Sequence, residues 1–178
     1  MKKNNPEFTS YPAALPPPSI IIDTREKTPL EFQHLNAVRG TLTTGDYSLK
    51  GFLDSFIVER KTIADAVASL TRGRDRLFRE LARMRGAKFA RLLIVGGSAE
   101  MREVMKRRKV NIESIVGSLA WINANLVPVV KAPSAYKAAQ VVERWAYYFY
   151  AGAARPFGKV DVPSWARQDI IPNGKELA

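Results

Sequence analysis

The chain has no cysteine and a single histidine, His34. The first absence excludes a disulfide framework, thiolate zinc sites and cysteine catalysis. The second excludes a histidine-rich metal centre and a paired-histidine acid–base mechanism, and His34 reads as an ordinary loop residue. Any metal must then be held mainly by oxygen, which favours Mg²⁺ or Mn²⁺ over Zn²⁺. No apolar run approaches the ~20 residues needed to cross a bilayer, so no membrane partner is expected. Met1-Lys2-Lys3-Asn4-Asn5-Pro6 has no apolar stretch behind its lysines, so a secretory signal is not expected and the localisation read is cytoplasmic. Acids are scarce too. There are 17 Asp and Glu against 28 Lys and Arg in 178 residues, a formal net charge of +11. A balance this basic points to a polyanionic partner, most often nucleic acid, against the plainer reading of a small basic soluble protein.

Length and composition fit one globular domain with a real core. Residues 1–18 read as an irregular lead-in, because Pro6, Pro12, Pro16, Pro17 and Pro18 deny regular hydrogen bonding. Ser19–Asp23 is expected as a buried first strand, followed by a loop holding Pro29 and His34. Thr41–Thr44 reads as a β-prone segment that stops at the Gly45-Asp46 turn, and Phe56–Arg60 as the next strand. Helices are expected over Thr62–Leu70, with Ile63, Ala66, Val67 and Leu70 inward, and over Arg74–Arg85, with Leu77, Leu81 and Met84 inward. Arg91–Val95, closed by Gly96-Gly97, is a continuous apolar strand of the kind covered on both faces. Residues 100–108 read as helical. Asn111 caps a helix to about Asn125 whose buried stripe is Ile112, Ile115, Val116, Leu119 and Ile122. Val127–Val130 reads as an edge strand and Ser134–Ala151 as a long final helix. The expectation is an α/β domain over 19–152, a single central mixed β-sheet flanked by helices, with a loop-rich tail over 153–178.

The chemistry concentrates in Gly45-Asp46-Tyr47 and Val58-Glu59-Arg60-Lys61-Thr62-Ile63-Ala64-Asp65. Strand side chains alternate, so Glu59 and Lys61 share a face and Arg60 takes the other. If the two strands pair as a hairpin, Asp46, just past the end of one, converges with Glu59 near the end of the next. Their carboxylates, with the backbone carbonyl of Arg60, can gather one divalent cation. Asp23, at the end of the first strand, adds a ligand or a contact behind the ligands. Lys61 is placed to orient or deprotonate a water activated by the ion, or to neutralise charge on a phosphate. Plainer readings stand beside these. Asp46 can be a turn residue, and Glu59 with Lys61 a surface ion pair. Asp23 can belong to an ion-pair cluster with Arg25 and Glu26. Asp65 can be the far member of a Thr62-x-x-Asp65 cap, a role compatible with a place in the site.

Ile21-Ile22-Asp23-Thr24-Arg25-Glu26, then Thr44-Gly45-Asp46-Tyr47, then Glu59-Arg60-Lys61 with Asp65, resembles the nuclease domain of the XPF family of structure-specific endonucleases. That family's signature is Asp-x-Arg-Glu, Gly-Asp, and Glu-Arg-Lys followed by Asp. The likeness continues through Ser69-Leu70, the Arg72–Arg79 stretch, Ser114–Ser118 and Val127–Val130, and so covers about residues 19–151. It implies a restriction-endonuclease-like core that hydrolyses DNA with Mg²⁺ or Mn²⁺ near junctions between single and double strands, in DNA repair or recombination. By carry-over, Asp23, Asp46, Glu59, Lys61 and Asp65 are the implied active-site positions, and Arg25, Glu26 and Arg60 match the signature. Two features depart from the family. Gly96 stands where members often carry Glu, and the chain has no room for a tandem helix-hairpin-helix domain. A non-catalytic DNA-binding or regulatory protein on the same fold, and a junction resolvase or restriction-type nuclease, are the competing readings.

Arg72, Arg76, Arg79 and Arg83 follow helical spacing, nearly opposite Leu77, Leu81 and Met84. This stripe is suited to tracking phosphates, and Arg25 is a further nucleic-acid contact. Lys106-Arg107-Arg108-Lys109 is either a second contact or a solvated loop. Ser114, Gly117, Ser118 and Trp121 mark a helix face open to close approach, with tight packing the simplest account. Trp145, Tyr147, Tyr148, Phe149 and Tyr150 read as core, with a homodimer interface as the alternative.

Overall fold

The computed structural model describes residues 15–157 and 160–167. Most of the expected lead-in and half of the expected tail lie outside them. Six strands, β1 (Ile20–Asp23), β2 (Ala37–Gly40), β3 (Tyr47–Leu49), β4 (Phe56–Thr62), β5 (Phe89–Val95) and β6 (Val129–Ala132), form one mixed sheet in the order β2-β1-β3-β4-β5-β6. The β1–β3 and β3–β4 pairs are antiparallel, and β1–β2, β4–β5 and β5–β6 are parallel. The helices are α1 (Ile63–Thr71), α2 (Arg74–Met84), α3 (Ser98–Arg108), α4 (Ile112–Asn125), α5 (Ala135–Ala154) and the short α6 (Ser164–Arg167). The expected single mixed sheet flanked by helices is the observed architecture.

Alternation along β4 divides the core between the two faces of the sheet. Phe56 and Val58 point into one layer with Tyr47, Leu49, Leu93 and the α5 residues Ala138, Val142 and Ala146. Ile57 points into the other, with Ile63 and Val67 of α1, Leu77 and Leu81 of α2, and Ile115 and Ile122 of α4. The carboxyl half of β4 continues this alternation, so Glu59 and Lys61 leave the sheet on the α1–α2 side.

Several expectations need correction. β2 falls in a segment expected as loop. Its sequence Ala-Val-Arg-Gly has no alternation, and it is a strand only because it pairs with β1. Gly40 permits that pairing, since a Cβ there would meet Ile21 Cγ2 at 2.8 Å. β3 follows the Gly45-Asp46 turn instead of preceding it. Thr41–Thr44 is irregular, so Asp46 introduces a strand where it was expected to close one. Gly45 makes the turn at φ 82°, packed where a Cβ would sit 2.5 Å from Ile57 Cγ2.

In α4 the buried residues are Ile115, Ser118 and Ile122, while Ile112 and Val116 are about half exposed. The helix carries two apolar rows and only one can face the sheet. Small Ser118 lets it approach, its hydroxyl donating to the Ser114 carbonyl at 2.7 Å. Trp121 instead stacks on Phe78 of α2, ring centroids 5.0 Å apart. The aromatic cluster of α5 is largely core. Tyr147 is buried, and Trp145, Phe149 and Tyr150 pack against the same layer. Tyr148 is half exposed and donates to the Ala166 carbonyl. Within the expected loop-rich tail, α6 packs on this layer through Ala166 and Trp165.

Candidate active site

Many of the residues singled out in the sequence meet at one end of the sheet, around an open cavity of about 490 Å³. Its wall includes Arg25, Glu26, Asp46, Glu59, Arg60, Lys61, Asp65 and Arg76. Two backbone bonds bring the strand ends into register. The Asp46 N–H donates to the Val58 carbonyl and the Asp23 N–H to the Asp46 carbonyl, both at 2.9 Å. Asp46 is thereby clamped between β1 and β4, beside Glu59.

The Asp46 carboxylate turns back onto β4, where its Oδ2 accepts the Arg60 N–H at 2.7 Å. In an extended strand the N–H and C=O of one residue project to the same edge. The Arg60 carbonyl therefore lies on the edge that carries Asp46. Burial raises the Asp46 pKa to about 6, the Arg60 N–H opposes the rise, and the Glu26 charge adds to it. Glu59 is buried, with its Oε1 accepting from Lys61 Nζ at 2.6 Å. Burial, then the Asp46 charge, raises its pKa to about 7 against the pull of Lys61. Lys61 itself is held above its ordinary value. Burial works against that, and the carboxylates of Glu59, Glu80 and Asp46 together outweigh it.

These two carboxylates resist ionisation because burial and neighbouring carboxylates outweigh Lys61 and the Arg60 N–H, and a hard cation seated there would relieve both effects. Among the described residues, no three His, Cys, Asp or Glu side chains form a ready metal cluster. A cation here would take Asp46, Glu59 and the Arg60 carbonyl, with water completing its shell, and the donor set fits Mg²⁺ or Mn²⁺.

Asp23, expected among the ligands, does not line the cavity. Its carboxylate accepts four hydrogen bonds: Arg25 N–H at 2.8 Å and Arg25 Nε at 2.7 Å on Oδ1, then Leu42 N–H at 2.7 Å and Arg25 Nη2 at 3.2 Å on Oδ2. Burial works against the charged form, yet the bonds from Arg25 and Leu42 hold Asp23 below the usual carboxylate range. An acid so fully occupied braces the loops on either side and has no oxygen left for a metal. Arg25 is thereby committed to Asp23 while its side chain stays 68% exposed at the cavity rim.

Asp65 takes the capping position expected of it, on the wall of the cavity. Its N–H donates to Thr62 Oγ1 at 3.1 Å, and its Oδ2 accepts the same hydroxyl at 2.6 Å. On the other face of β4, Arg60 reaches Glu26 Oε2 at 3.2 Å and the Thr28 carbonyl at 2.8 Å. Arg76, Arg79 and Arg83 lie along α2, with Arg76 at the cavity. Arg72 caps the end of α1 before Gly73, so it precedes the helix that carries the other three. Beside Gly96, at φ 143°, a Cβ would sit 2.5 Å from Glu100 Oε2 and 2.6 Å from Ile63 Cδ1. A side chain at this strand end would have to displace both and take a strained backbone.

Glu80 of α2, which the motifs do not include, also approaches the site. Its Oε2 lies 3.9 Å from Lys61 Nζ. Its signal was available, since Glu80 falls at the helical spacing of Leu77 and Met84, an inward position for an acid.

The ERCC4 domain matches residues 22–144 of the chain. Among solved structures, the fold is similar to XPF from Aeropyrum pernix, with 24% identity and a TM-score of 0.56, over 71% of this chain and 64% of that one. XPF from Aeropyrum pernix in complex with DNA is similar at 22% identity and a TM-score of 0.56, over 78% of this chain and 66% of that one. The chain thus spans just under two thirds of either. No curated protein sequence matches it.

Proposed function

The chain belongs to the ERCC4 domain family, and on that premise we propose that it is a metal-dependent DNA endonuclease that hydrolyses phosphodiesters at branched or flapped junctions. One observation carries the proposal. Asp46 and Glu59 are held together on a cavity wall with pKa values pushed up to about 6 and about 7. A pure DNA-binding surface gains nothing from two acids facing a polyanion. They make sense when a cation stands between them and the phosphate.

Asp46, Glu59 and the Arg60 carbonyl would hold Mg²⁺ or Mn²⁺. Such an ion, when bound, would supply positive charge against the phosphate and make a water more acidic. Lys61 is positioned to orient that water or to stabilise charge on the phosphate, and Asp65 fixes the start of α1 at the cavity wall. Arg76 leads from the cavity to Arg79 and Arg83, a path that fits a phosphate backbone. The XPF relative found in complex with DNA supports DNA as the polyanion. No helix among the described residues is long and apolar enough to cross a membrane.

The test is cleavage of splayed-arm, flap, four-way and linear DNA with Mg²⁺ or Mn²⁺, with and without a chelator. Cutting of the splayed-arm or flap substrate, lost with chelator and in Glu59→Ala, is the expected result. Salt-dependent binding with no cutting under any metal would refute the enzymatic reading and leave a DNA-binding protein on a nuclease fold.

A further inference from the structure

We propose that Glu80 is the second acceptor of the Lys61 ammonium, the group that takes over Lys61 when Glu59 turns to the cation. This rests on the metal-dependent reading of the site above. Lys61 Nζ lies 2.6 Å from Glu59 Oε1 and 3.9 Å from Glu80 Oε2, so the two carboxylates flank one ammonium. The Lys61 side chain is only 12% exposed. A lysine that enclosed cannot simply release its partner, because an unpaired buried charge is heavily penalised. Yet it occupies an oxygen of Glu59, and an ammonium beside that oxygen repels a divalent ion approaching it. Lys61 bonds Oε1 alone, so Oε2 can face a cation, and that cation binds more tightly if Lys61 has another place to go.

Glu80 meets that need. It comes from α2, a different element from the one that carries Glu59 and Lys61, and it is 28% exposed at the margin of the helix's buried face. Moving the ammonium from one acceptor to the other is a side-chain torsion, with no change in backbone. Glu80 is then a positioning residue. It acts through Lys61 and touches neither ion nor substrate.

The prediction is a coupling between positions 80 and 61, measured on the full chain by the loss of the free Mn²⁺ resonance on binding. Glu80→Gln, which keeps shape and removes charge, should weaken Mn²⁺ binding roughly tenfold. In a Lys61→Met background, where no ammonium competes for Glu59, the same change should alter it by no more than about twofold. Glu80→Asp should recover most of the affinity. In Glu80→Gln, kcat on DNA should fall with KM little changed. An equal weakening in both backgrounds would overturn the inference, because Glu80 would then act on the ion without Lys61. So would unaltered Mn²⁺ binding in folded Glu80→Gln, or no recovery in folded Glu80→Asp. Wild-type protein that binds no Mn²⁺ would remove the metal reading and this inference together. Wild-type binding with no coupling would remove only this inference.

Discussion

Asp23 and Asp46 are neighbours across a strand pair, the N–H of one bonded to the carbonyl of the other. Burial alone would rank them one way. Asp23 is 1% exposed and Asp46 is only half-buried, so Asp23 should be the harder to ionise. Their pKa shifts run the other way. Asp23 is pulled below the ordinary carboxylate value and Asp46 is raised to about 6. Burial pushes both acids up, and hydrogen-bond donors outweigh it only at Asp23. Asp23 receives four N–H bonds, whereas the bond found for Asp46 comes from a single backbone amide. A carboxylate with its donors in place is a brace, and one short of donors attracts positive charge.

Substitution should pull the two acids further apart. The largest effect is expected from Asp46→Asn, which keeps an oxygen for the Arg60 N–H and removes the charge. Cleavage should fall by about three orders of magnitude or more, the scale of removing a group that acts on the transition state. Single-turnover assays measure this. Retained cutting would show that Asp46 only shapes the turn. Asp23→Ala should do the opposite. It leaves the Leu42 and Arg25 amides without an acceptor and costs about 3 kcal/mol of stability, read from urea unfolding. A variant of undiminished stability would show that the four bonds do not brace the fold.

The same comparison predicts an opposite pH dependence. Asp46 has a folded pKa of about 6 against 3.8 as the reference value. Its contribution to stability is therefore complete below pH 3.8 and is lost as the pH rises through about 6. Asp23, with its folded value lowered, contributes stability above its reference value of 3.8 and loses it only as the pH falls through its still lower folded value. Without divalent ions, Asp46→Asn should thus be more stable than the parent at pH 8, by about 1 kcal/mol, and equal to it near pH ~3.5. Melting curves at the two pH values test this, and a gain at both would mean that something other than the charge is responsible.

The fold and the centre of the site were legible because both rest on local rules. Runs such as Leu92–Val95 and the spacing of Leu77, Leu81 and Met84 declare their elements. The alternation of Glu59, Arg60 and Lys61 held through β4, with Glu59 and Lys61 on one face and Arg60 on the other. What escaped depends on partners far along the chain. β2 is a strand only through β1, and β3 begins at Tyr47 because Gly45 can take φ 82° against Ile57. Asp23 looked like a ligand because its sequence neighbours say nothing of Leu42, far along the chain, whose amide fills one of its oxygens. The spacing of Glu80 marked it as turned toward the sheet, but not that Lys61, on another element, would be its partner. Sequence spacing reveals which face a side chain takes, but not how many donors await it there.

The smallest expected effect concerns α2, and it extends the comparison from acids to arginines. Arg25 is committed to Asp23 through both Nε and Nη2, while Arg79 and Arg83 stand along the helix beyond the cavity. If the α2 arginines neutralise phosphates, each releases a condensed counterion on binding. The slope of log affinity against log salt should then fall by about 0.9 for each phosphate no longer neutralised. Arg79→Ala and Arg83→Ala should each weaken DNA binding a few-fold at moderate salt and flatten that slope by close to one, leaving cleavage of bound substrate unchanged. Arg25→Ala should behave differently, because it strips two of the four donors from Asp23 and leaves only the backbone amides of positions 25 and 42. Its main consequence should be lower stability, read by melting, with a salt slope altered no more than in the α2 variants. An unchanged slope in both α2 variants would place the DNA path on another face of the molecule.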